Sequence, residues 1–275
     1  MSKTFDPLDD RAGWLKVAGS GIKLGQLTFE AQRAVMEAEV VFALVSNAPA
    51  MEMLRYYNAN VVDLTSCYAL ERERIDTYRE MAGKVLAEVR ADKKVCFAIY
   101  GHPAVFAFPS RLALETARNE GYDVELLPGI SAEDSMFCDL EIDPAVHGCQ
   151  IYSATIFVRE NRVFDPRAVL TLWQVSIIGE SRLMESGDAD YHRQLCDRLE
   201  SVYGPSHPVI LYEAATTMYF SPSMRAIAVS DLKTTKIRPC CTLVIPPIHC
   251  PDLVRVPLAT EEPITISWPS STTRA

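Results

Sequence analysis

The stretch KVCFAIYGHPAVF occupies residues 94–106 and combines a strand with the turn that ends it. Residues 94–100 are almost wholly apolar, which is typical of a parallel strand covered by helices on both faces. Gly101 lets the backbone approach a ligand and Pro103 rigidifies the turn, after which residues 105–120 are predicted to be helical. In open α/β sheets, ligands bind outside the carboxyl ends of the strands. This turn is therefore a candidate ligand site, although His102 by itself is equally typical of a capped turn.

Strands alternate with helices on both sides of this stretch. Residues 14–18, 40–45, 60–64 and 122–127 are predicted strands, and residues 28–38 a helix that Thr28 caps. Residues 75–91 carry apolar side chains at spacings of three and four, the pattern of an amphipathic helix. The alternation predicts that residues 13–147 form a doubly wound α/β domain after a flexible N-terminus at residues 1–12.

The pattern loosens near Pro144 and Gly148, where we place a domain boundary. Residues 148–250 are predicted to be a second α/β domain, richer in hairpins, with a helix at 189–203. Its predicted strands are residues 150–157, 208–213, 224–228 and 242–245, whereas residues 168–178 fit either a strand or a helix followed by a strand. Residues 251–275 are polar, contain prolines, and are predicted to be a tail.

The composition excludes several classes of protein. A net charge of −9 argues against a binder of nucleic acid or anionic membranes, since such proteins cluster lysine and arginine. No apolar run is long enough to span a membrane, and the acidic N-terminus does not resemble a signal peptide. These features predict a cytoplasmic protein. Its eight cysteines lack Cys-x-x-Cys spacing, so we expect reduced, buried thiols and no metal site.

Three phenols and a guanidinium are concentrated around the strand at residues 94–100. Arg74 and Tyr78 are one helical turn apart and share a face, Tyr68 lies in the loop before them, and Tyr100 ends the strand. Such a set can donate and accept protons at a reacting group. The alternative is a half-buried tyrosine with a surface arginine that pairs with neighbouring glutamates.

Two further turns could contact a ligand. PGISAE at residues 128–133 begins a helix, where Ser131 could cap the helix or leave backbone amides free for a ligand. Gln174 lies between apolar residues and could bind a ligand amide or a purine edge. A buried, satisfied amide is the alternative for Gln174.

Taken in order along residues 14–247, these motifs resemble the tetrapyrrole-methylase superfamily. The resemblance rests on the turn after the first strand, YGHPAVF, PGISAE, LWQ, YEAA and TLVIPP. It implies two α/β domains with S-adenosylmethionine (SAM) bound in the cleft between them. The usual Gly-x-Gly-x-Gly-Asp and Gly-Asp-Pro turns are replaced here by GSGIKL (19–24) and Gly101-His102-Pro103, which argues against a tetrapyrrole substrate.

The spacing of Tyr68, Arg74, Tyr78 and Tyr100 is similar to that of the borosin α-N-methyltransferases, which methylate backbone amides of a precursor peptide. The resemblance implies that these four residues are catalytic and that S-adenosylhomocysteine is the product. It also implies SAM contacts from Tyr100, His102, Val105, Phe106, Ser131, Ala132, Gln174 and Thr242.

The implied chemistry suits these residue types. An amide nitrogen must lose its proton while the imidate oxygen is stabilised, and Arg74 could favour a phenolate at Tyr78 or Tyr68. A second phenol would donate to the oxygen. The assignment of base and donor among the tyrosines stays open.

The resemblance also bears on partners. Fused borosins carry a further helical region and their own substrate. The segment after Pro247 is short and polar, so we expect the protein to act in trans on a separate precursor peptide. A homodimer is implied as well. Two alternatives remain: a SAM-dependent methyltransferase of a corrinoid, porphyrin or other small molecule, and a non-catalytic protein that binds SAM and peptide.

Overall fold

Two five-stranded sheets organise the chain, and the computed structural model describes residues 13–45, 47–184 and 186–254. The first sheet is wholly parallel, in the order β3-β2-β4-β1-β5, with helices on both faces. Its strands are β1 (Trp14–Gly19), β2 (Val40–Leu44), β3 (Val61–Asp63), β4 (Lys94–Ile99) and β5 (Asp123–Leu127). The helices that follow them are α1 (Phe29–Glu37), α2 (Ala48–Tyr57), α3 (Arg74–Arg90), α4 (Phe108–Asn119) and α5 (Ala132–Asp139).

Strand β4 lies at the centre of this sheet because both of its faces are apolar. Val95, Phe97 and Ile99 pack into the core on the side of α3 and α4. Cys96 and Ala98 pack on the opposite side, against α1 and α2. Covered faces on both sides explain the continuous apolar run that the sequence shows, and they confirm the doubly wound prediction.

The second sheet is mixed, in the order β6-β7-β10-β8-β9, with only β6 and β7 parallel. Its strands are β6 (Cys149–Ser153), β7 (Val169–Trp173), β8 (Pro208–Glu213), β9 (Ser223–Ala228) and β10 (Thr242–Ile245). The accompanying helices are α6 (Pro144–His147), α7 (Ala154–Arg159) and α8 (Ala189–Tyr203). The bounds of α8, β8 and β10 are those predicted.

One predicted strand is partly wrong. Residues 150–157 were expected to be a strand, yet the strand ends at Ser153 and helix α7 follows. Ala154 and Phe157 are three residues apart and both fully buried, in one cluster with Leu195 and Leu199 of α8. Only a helical turn places both side chains on that face.

Two helices differ from the predictions for local reasons, a side-chain cap in one and a left-handed residue in the other. Helix α2 was not predicted; Asn47 begins it by accepting a hydrogen bond from the Ala50 N–H at 2.9 Å. Helix α4 begins at Phe108 and not at residue 105, because Phe106 has a φ of +51° and interrupts any helix before it.

The cysteines are unpaired, but only four of the eight are buried as expected, since Cys149 and Cys250 are half-buried and two others are exposed. Cys138 lies on the outer face of α5 and Cys240 is in an exposed turn with a φ of +65°. An apolar neighbourhood in sequence does not fix the face on which a side chain lies. Within the described ranges, no cluster of potential metal ligands occurs and no helix is long and apolar enough to cross a membrane.

The two sheets are joined through α5. Met136, Leu140 and Ile142 from the end of the first unit share one buried cluster with residues of the second sheet, including Ile210 and Val244. The predicted boundary at residues 147 and 148 stays a prediction.

Candidate active site

Three glycine turns meet at the carboxyl ends of β1, β4 and β5. A Cβ on Gly129 would stand 2.4 Å from the Gly101 oxygen and 2.6 Å from the Gly19 Cα, so side chains are excluded there. Gly101 has a φ of +69°, and its N–H donates to the Gly21 oxygen at 2.9 Å. The contact holds the three turns at one edge of the sheet, beside the crevice in which parallel sheets bind ligands.

The turn after β4 has a defined internal structure. The Ala104 N–H donates to Nδ1 of His102 at 3.1 Å, so this ring nitrogen acts as an acceptor. The Val105 N–H donates to the His102 oxygen at 3.0 Å. Phe106 then adopts its left-handed conformation and places its ring 5.9 Å from the ring of Trp173, at the end of β7. The turn thereby contacts the second sheet.

Gln174 lies at the end of β7 in a left-handed conformation, with φ 60° and ψ 34°. It lines the crevice, as the sequence predicted for a ligand contact. The indole N–H of its neighbour Trp173 is buried and has no hydrogen-bond partner within the described ranges. A buried donor without a partner costs free energy, but Trp173 is not among the residues that line the cavity or the hollow.

A cavity of about 480 Å³ opens between the start of α3, the turn after β4 and the end of β7. It is lined by Arg74, Ile75, Tyr78, Ala104, Phe106, Ala107, Phe108, Arg111, Gln174 and Ser181. A hollow of about 30 Å³ continues behind it, lined by Leu44, Tyr68, Tyr78, Ile99, Tyr100, Val105, Phe106, Ala107 and Pro109. Tyr78 and Phe106 belong to both walls.

The four residues predicted to be catalytic therefore come together. Tyr68, Tyr78 and Tyr100 line the hollow, and Arg74 lines the cavity with Tyr78. Burial is the largest effect on these phenols and raises the pKa of each above its usual value. Arg74 lowers the pKa of Tyr68 and Tyr78, but less than burial raises it. The direction of the Arg74 effect is the one expected from the sequence, and its role in forming a phenolate stays a prediction.

Arg74 is held in place from the second half of the chain. Its backbone N–H and its Nε both donate to the Ser181 oxygen, at 3.0 and 3.3 Å, and its Nη2 donates to the Glu180 oxygen. The Leu183 N–H donates to the Arg72 oxygen at 2.9 Å, which continues an antiparallel contact across the cleft. These carbonyl partners orient the guanidinium, and the sequence offered no signal for them.

Three predicted cofactor contacts, Ser131, Ala132 and Thr242, line neither the cavity nor the hollow. The Ser131 hydroxyl and N–H are both bonded to Asp134, at 2.7 Å each, in a capping box that begins α5 at Ala132. The Ser131 backbone adjoins Gly101, whereas Thr242 is buried in β10 beside Tyr212. Their contacts with a cofactor stay predictions.

Some lining residues were missed by the sequence reasoning. Phe108 and Arg111 are one turn apart on α4, directly after the turn that was singled out, and this spacing could have indicated them. The Phe108 ring lies 6.1 Å from the Tyr78 ring. Ser181 had no comparable signal because it acts through its backbone.

Comparisons with known proteins agree with this geometry. A family model described as Tetrapyrrole (Corrin/Porphyrin) Methylases matches residues 15–219. A methyltransferase/ribosomally synthesized type I borosin cyclic peptide precursor of Coprinopsis marcescibilis is 38% identical over 255 residues, which are 90% of this chain and 64% of that protein. The methyltransferase/ribosomally synthesized cyclic peptide omphalotin A precursor of Omphalotus olearius is 37% identical, over 82% of this chain and 55% of that protein. The chain thus spans less than two thirds of the length of either relative.

Solved structures share the fold at low sequence identity. A uroporphyrin-III-C-methyltransferase from Thermus thermophilus superimposes with a TM-score of 0.60 at 19% identity, over 88% of this chain and 97% of that one. A cobalt precorrin-4 methyltransferase gives a TM-score of 0.58 at 16% identity, over 88% and 98%. Both matches include the two α/β units.

Proposed function

The chain belongs to the tetrapyrrole methylase family, and on this basis we propose that it is a SAM-dependent methyltransferase of backbone amides in a ribosomally made precursor peptide. The observation that carries the proposal is that three phenols line the hollow and one oriented guanidinium lines the adjoining cavity, with Tyr78 shared by both. The relatives that are themselves peptide precursors support the same substrate class.

The cavity has the features that a cofactor such as SAM requires. Its volume of about 480 Å³ lies in the range of small-molecule sites. Gln174 lines this cavity, and its side-chain amide could pair with polar atoms of the cofactor. We propose that Tyr100, His102, Val105, Phe106 and Gln174 hold the cofactor, with Ser131, Ala132 and Thr242 behind them. SAM supplies the electrophilic methyl group and leaves as S-adenosylhomocysteine.

The protein's part begins with the amide oxygen. An amide nitrogen is a poor nucleophile because its lone pair is delocalised into the carbonyl, so the imidate form must be stabilised. The three phenols are neutral in the resting site, because burial raises the pKa of each. A phenolic O–H can therefore donate to the developing imidate oxygen, and such preorganised donors supply a large share of catalysis.

The amide proton also needs an acceptor. A new N–C bond would form as the bond between the cofactor's sulfur and its methyl carbon breaks, and the amide nitrogen would lose its proton. We propose that this proton goes to a phenol of the same set that has first released its own proton to solvent. The Arg74 guanidinium lies close enough to lower the pKa of Tyr68 and Tyr78, so it stabilises that phenolate once it forms. Base and donor are assigned among Tyr68, Tyr78 and Tyr100 by the pH experiment described in the Discussion.

Three expectations from the sequence accompany this proposal. The precursor peptide is supplied in trans, the enzyme is a homodimer, and it acts in the cytoplasm. All three stay predictions. The test below supplies the peptide separately, so it examines the first directly.

The test is intact-mass analysis of candidate peptides encoded beside the gene, each incubated with the purified protein and SAM. The expected result is a gain of whole methyl units that fragmentation maps to backbone nitrogens. Calorimetry with S-adenosylhomocysteine measures cofactor binding in parallel. Cofactor binding without any methylated peptide, together with methylation of a corrinoid or porphyrin, would overturn the proposal in favour of a small-molecule substrate.

A further inference from the structure

Building on the proposed function, we propose that Arg111 selects peptides with a carboxylate side chain close to the amide that is methylated. Two guanidinium groups line the cavity beside Tyr78. The first, of Arg74, is held by backbone carbonyl oxygens, and the second is that of Arg111. The second, on α4, has no assigned role in the transfer reaction. Its position and charge define a subsite for an aspartate or glutamate of the substrate.

The cavity wall is positive although the chain as a whole is acidic. Among the described residues that line the cavity, Arg74 and Arg111 are charged and none is an aspartate or glutamate. The chain carries a net charge of −9, so an acidic peptide is repelled by most of its surface. A local pair of cations reverses that preference at the opening. Such complementarity acts on partner choice.

The two arginines differ in how strongly other groups of the protein hold their guanidinium groups. Arg74 is bonded to the carbonyl oxygens of Glu180 and Ser181. Among the residues that the structure describes, Arg111 has an ion pair with Glu115 alone, one turn later on α4, and their Nε and Oε1 are 4.0 Å apart. Both side chains of that pair are more than half exposed, at 67% and 60%. Exposed pairs of this kind are weak, so a substrate carboxylate can replace Glu115.

The distance from the reacting amide limits where the substrate carboxylate can be. The Tyr78 ring lies 6.1 Å from the Phe108 ring, and the Arg111 guanidinium carbon lies 5.9 Å from that same ring. Because an extended peptide advances about 3.3 Å per residue, Arg111 reaches side chains within about four residues of an amide at Tyr78. The subsite would therefore recognise side chains of the substrate peptide that lie close to the methylated amide.

A carboxylate could also come from the methionine part of the cofactor. The two sources are distinguished by what changes when Arg111 is replaced. A peptide subsite changes the discrimination between peptides and leaves cofactor affinity as it was. A cofactor subsite does the reverse.

The experiment uses the peptide that gains methyl groups in the mass test above. Versions with Asp, Asn or Lys at each position within four residues of the methylated amide are compared by kcat/KM. At one or more of these positions, wild-type protein should favour Asp over Asn by about fivefold, the size of a partly exposed ion pair. The preference should fall as salt is raised. Peptide affinity is measured separately by fluorescence anisotropy with S-adenosylhomocysteine bound.

Charge reversal provides the sharper test. Arg111→Glu should favour Lys over Asp at the same position, and Glu115→Gln should strengthen the wild-type preference. Arg118→Glu makes the same charge change further along α4, away from the cavity lining, and should leave the preference unaltered. Equal kcat/KM for Asp and Asn at every position overturns the inference while leaving the proposed function intact. A change confined to cofactor affinity in Arg111→Glu overturns it as well, whereas absence of any methylated peptide counts against the proposed function itself.

Discussion

Arg74 and Ser181 join the two halves of the molecule at the cavity, although 107 residues separate them along the chain. The backbone N–H and the guanidinium Nε of Arg74 share one carbonyl oxygen of Ser181 as acceptor. The bond thus fixes both the start of α3 and the direction of the guanidinium. The guanidinium that we propose to be catalytic is oriented by the backbone of the opposite unit.

This geometry predicts that lysine does not replace Arg74. Arg74→Lys keeps the charge but loses the planar fork that reaches two carbonyls, so kcat should fall by about 100-fold or more. Affinity for S-adenosylhomocysteine, measured by calorimetry, should stay unchanged. Arg79→Lys is the matched control, because Arg79 lies on the same helix and forms an exposed pair with Asp76. Lost cofactor binding in Arg74→Lys would show that the arginine serves the cofactor.

The raised phenol pKa values predict the pH dependence of turnover. At pH 7 the phenolate fraction is small, so kcat should rise about tenfold per pH unit from pH 7 to pH 9 if a phenolate accepts the amide proton. Stopped assays at saturating peptide and SAM measure this slope. A flat profile contradicts the mechanism.

Each tyrosine can then be assigned by its residual rate. Tyr68→Phe, Tyr78→Phe and Tyr100→Phe should each lower kcat, because each removes a hydroxyl at the hollow. The variant that lacks the base loses the rise with pH, whereas a variant that lacks only a donor keeps it. Retention of the slope in all three variants would exclude a tyrosine base.

The glycine turns predict opposite effects of alanine at two positions. Gly129→Ala places a Cβ 2.4 Å from the Gly101 oxygen, and the resulting shift should lower the free energy of unfolding by about 3 kcal/mol. Gly83→Ala lies within α3, where a Cβ meets no atom within 4 Å, and should stabilise by about 0.5–1 kcal/mol. Urea titrations followed by circular dichroism measure both. Equal tolerance of the two changes would refute the close contact of the turns.

The contact of Tyr212 with Asp139 should stabilise the joint between the two sheets. The buried Tyr212 donates its hydroxyl to Oδ2 of Asp139 on α5, at 2.7 Å. Tyr212→Phe removes this charge-assisted bond and should cost about 1.5 kcal/mol. Tyr219→Phe, in an exposed part of the loop after β8, is the control. If the urea concentration at the midpoint of unfolding is the same in Tyr212→Phe as in wild type, the hydrogen bond makes no net contribution to stability.

Glu80 predicts how stability responds to acid. Lys84 and Arg72 bind its carboxylate at 2.9 and 2.6 Å. These two hydrogen bonds are the main reason that its pKa is about 2, below the ordinary 4.5. A depressed pKa in the folded state stabilises above pH 4.5, and that contribution is lost as the pH falls from 4.5 to 2. Thermal unfolding across this window should therefore show a flatter pH dependence in Glu80→Gln than in wild type. Glu52→Gln, at an exposed pair with Arg55, should keep the wild-type dependence.

Local physics made much of the fold predictable. Helix α8 and strands β8 and β10 have their predicted bounds, since apolar spacing and turn residues act within a few positions of the chain. The run at residues 94–100 indicated a strand covered on both faces, and β4 is that strand. The resemblance to the borosin methyltransferases, and not helix geometry alone, singled out Tyr68, Arg74, Tyr78 and Tyr100, which the structure places around the cavity and the hollow.

Tertiary structure decided the rest, because the determining contacts join residues far apart in sequence. Burial against α8 turned residues 154–157 into a helix, and contact with Trp173 accompanies the left-handed Phe106 that delays α4. The carbonyl of Ser181 orients Arg74, and burial raises the phenol pKa values that a nearby cation was expected to lower. Sequence alone determined most of the strands and proposed the residues that carry the chemistry. Only long-range packing determined their environment, because desolvation and carbonyl direction depend on what lies across the cleft.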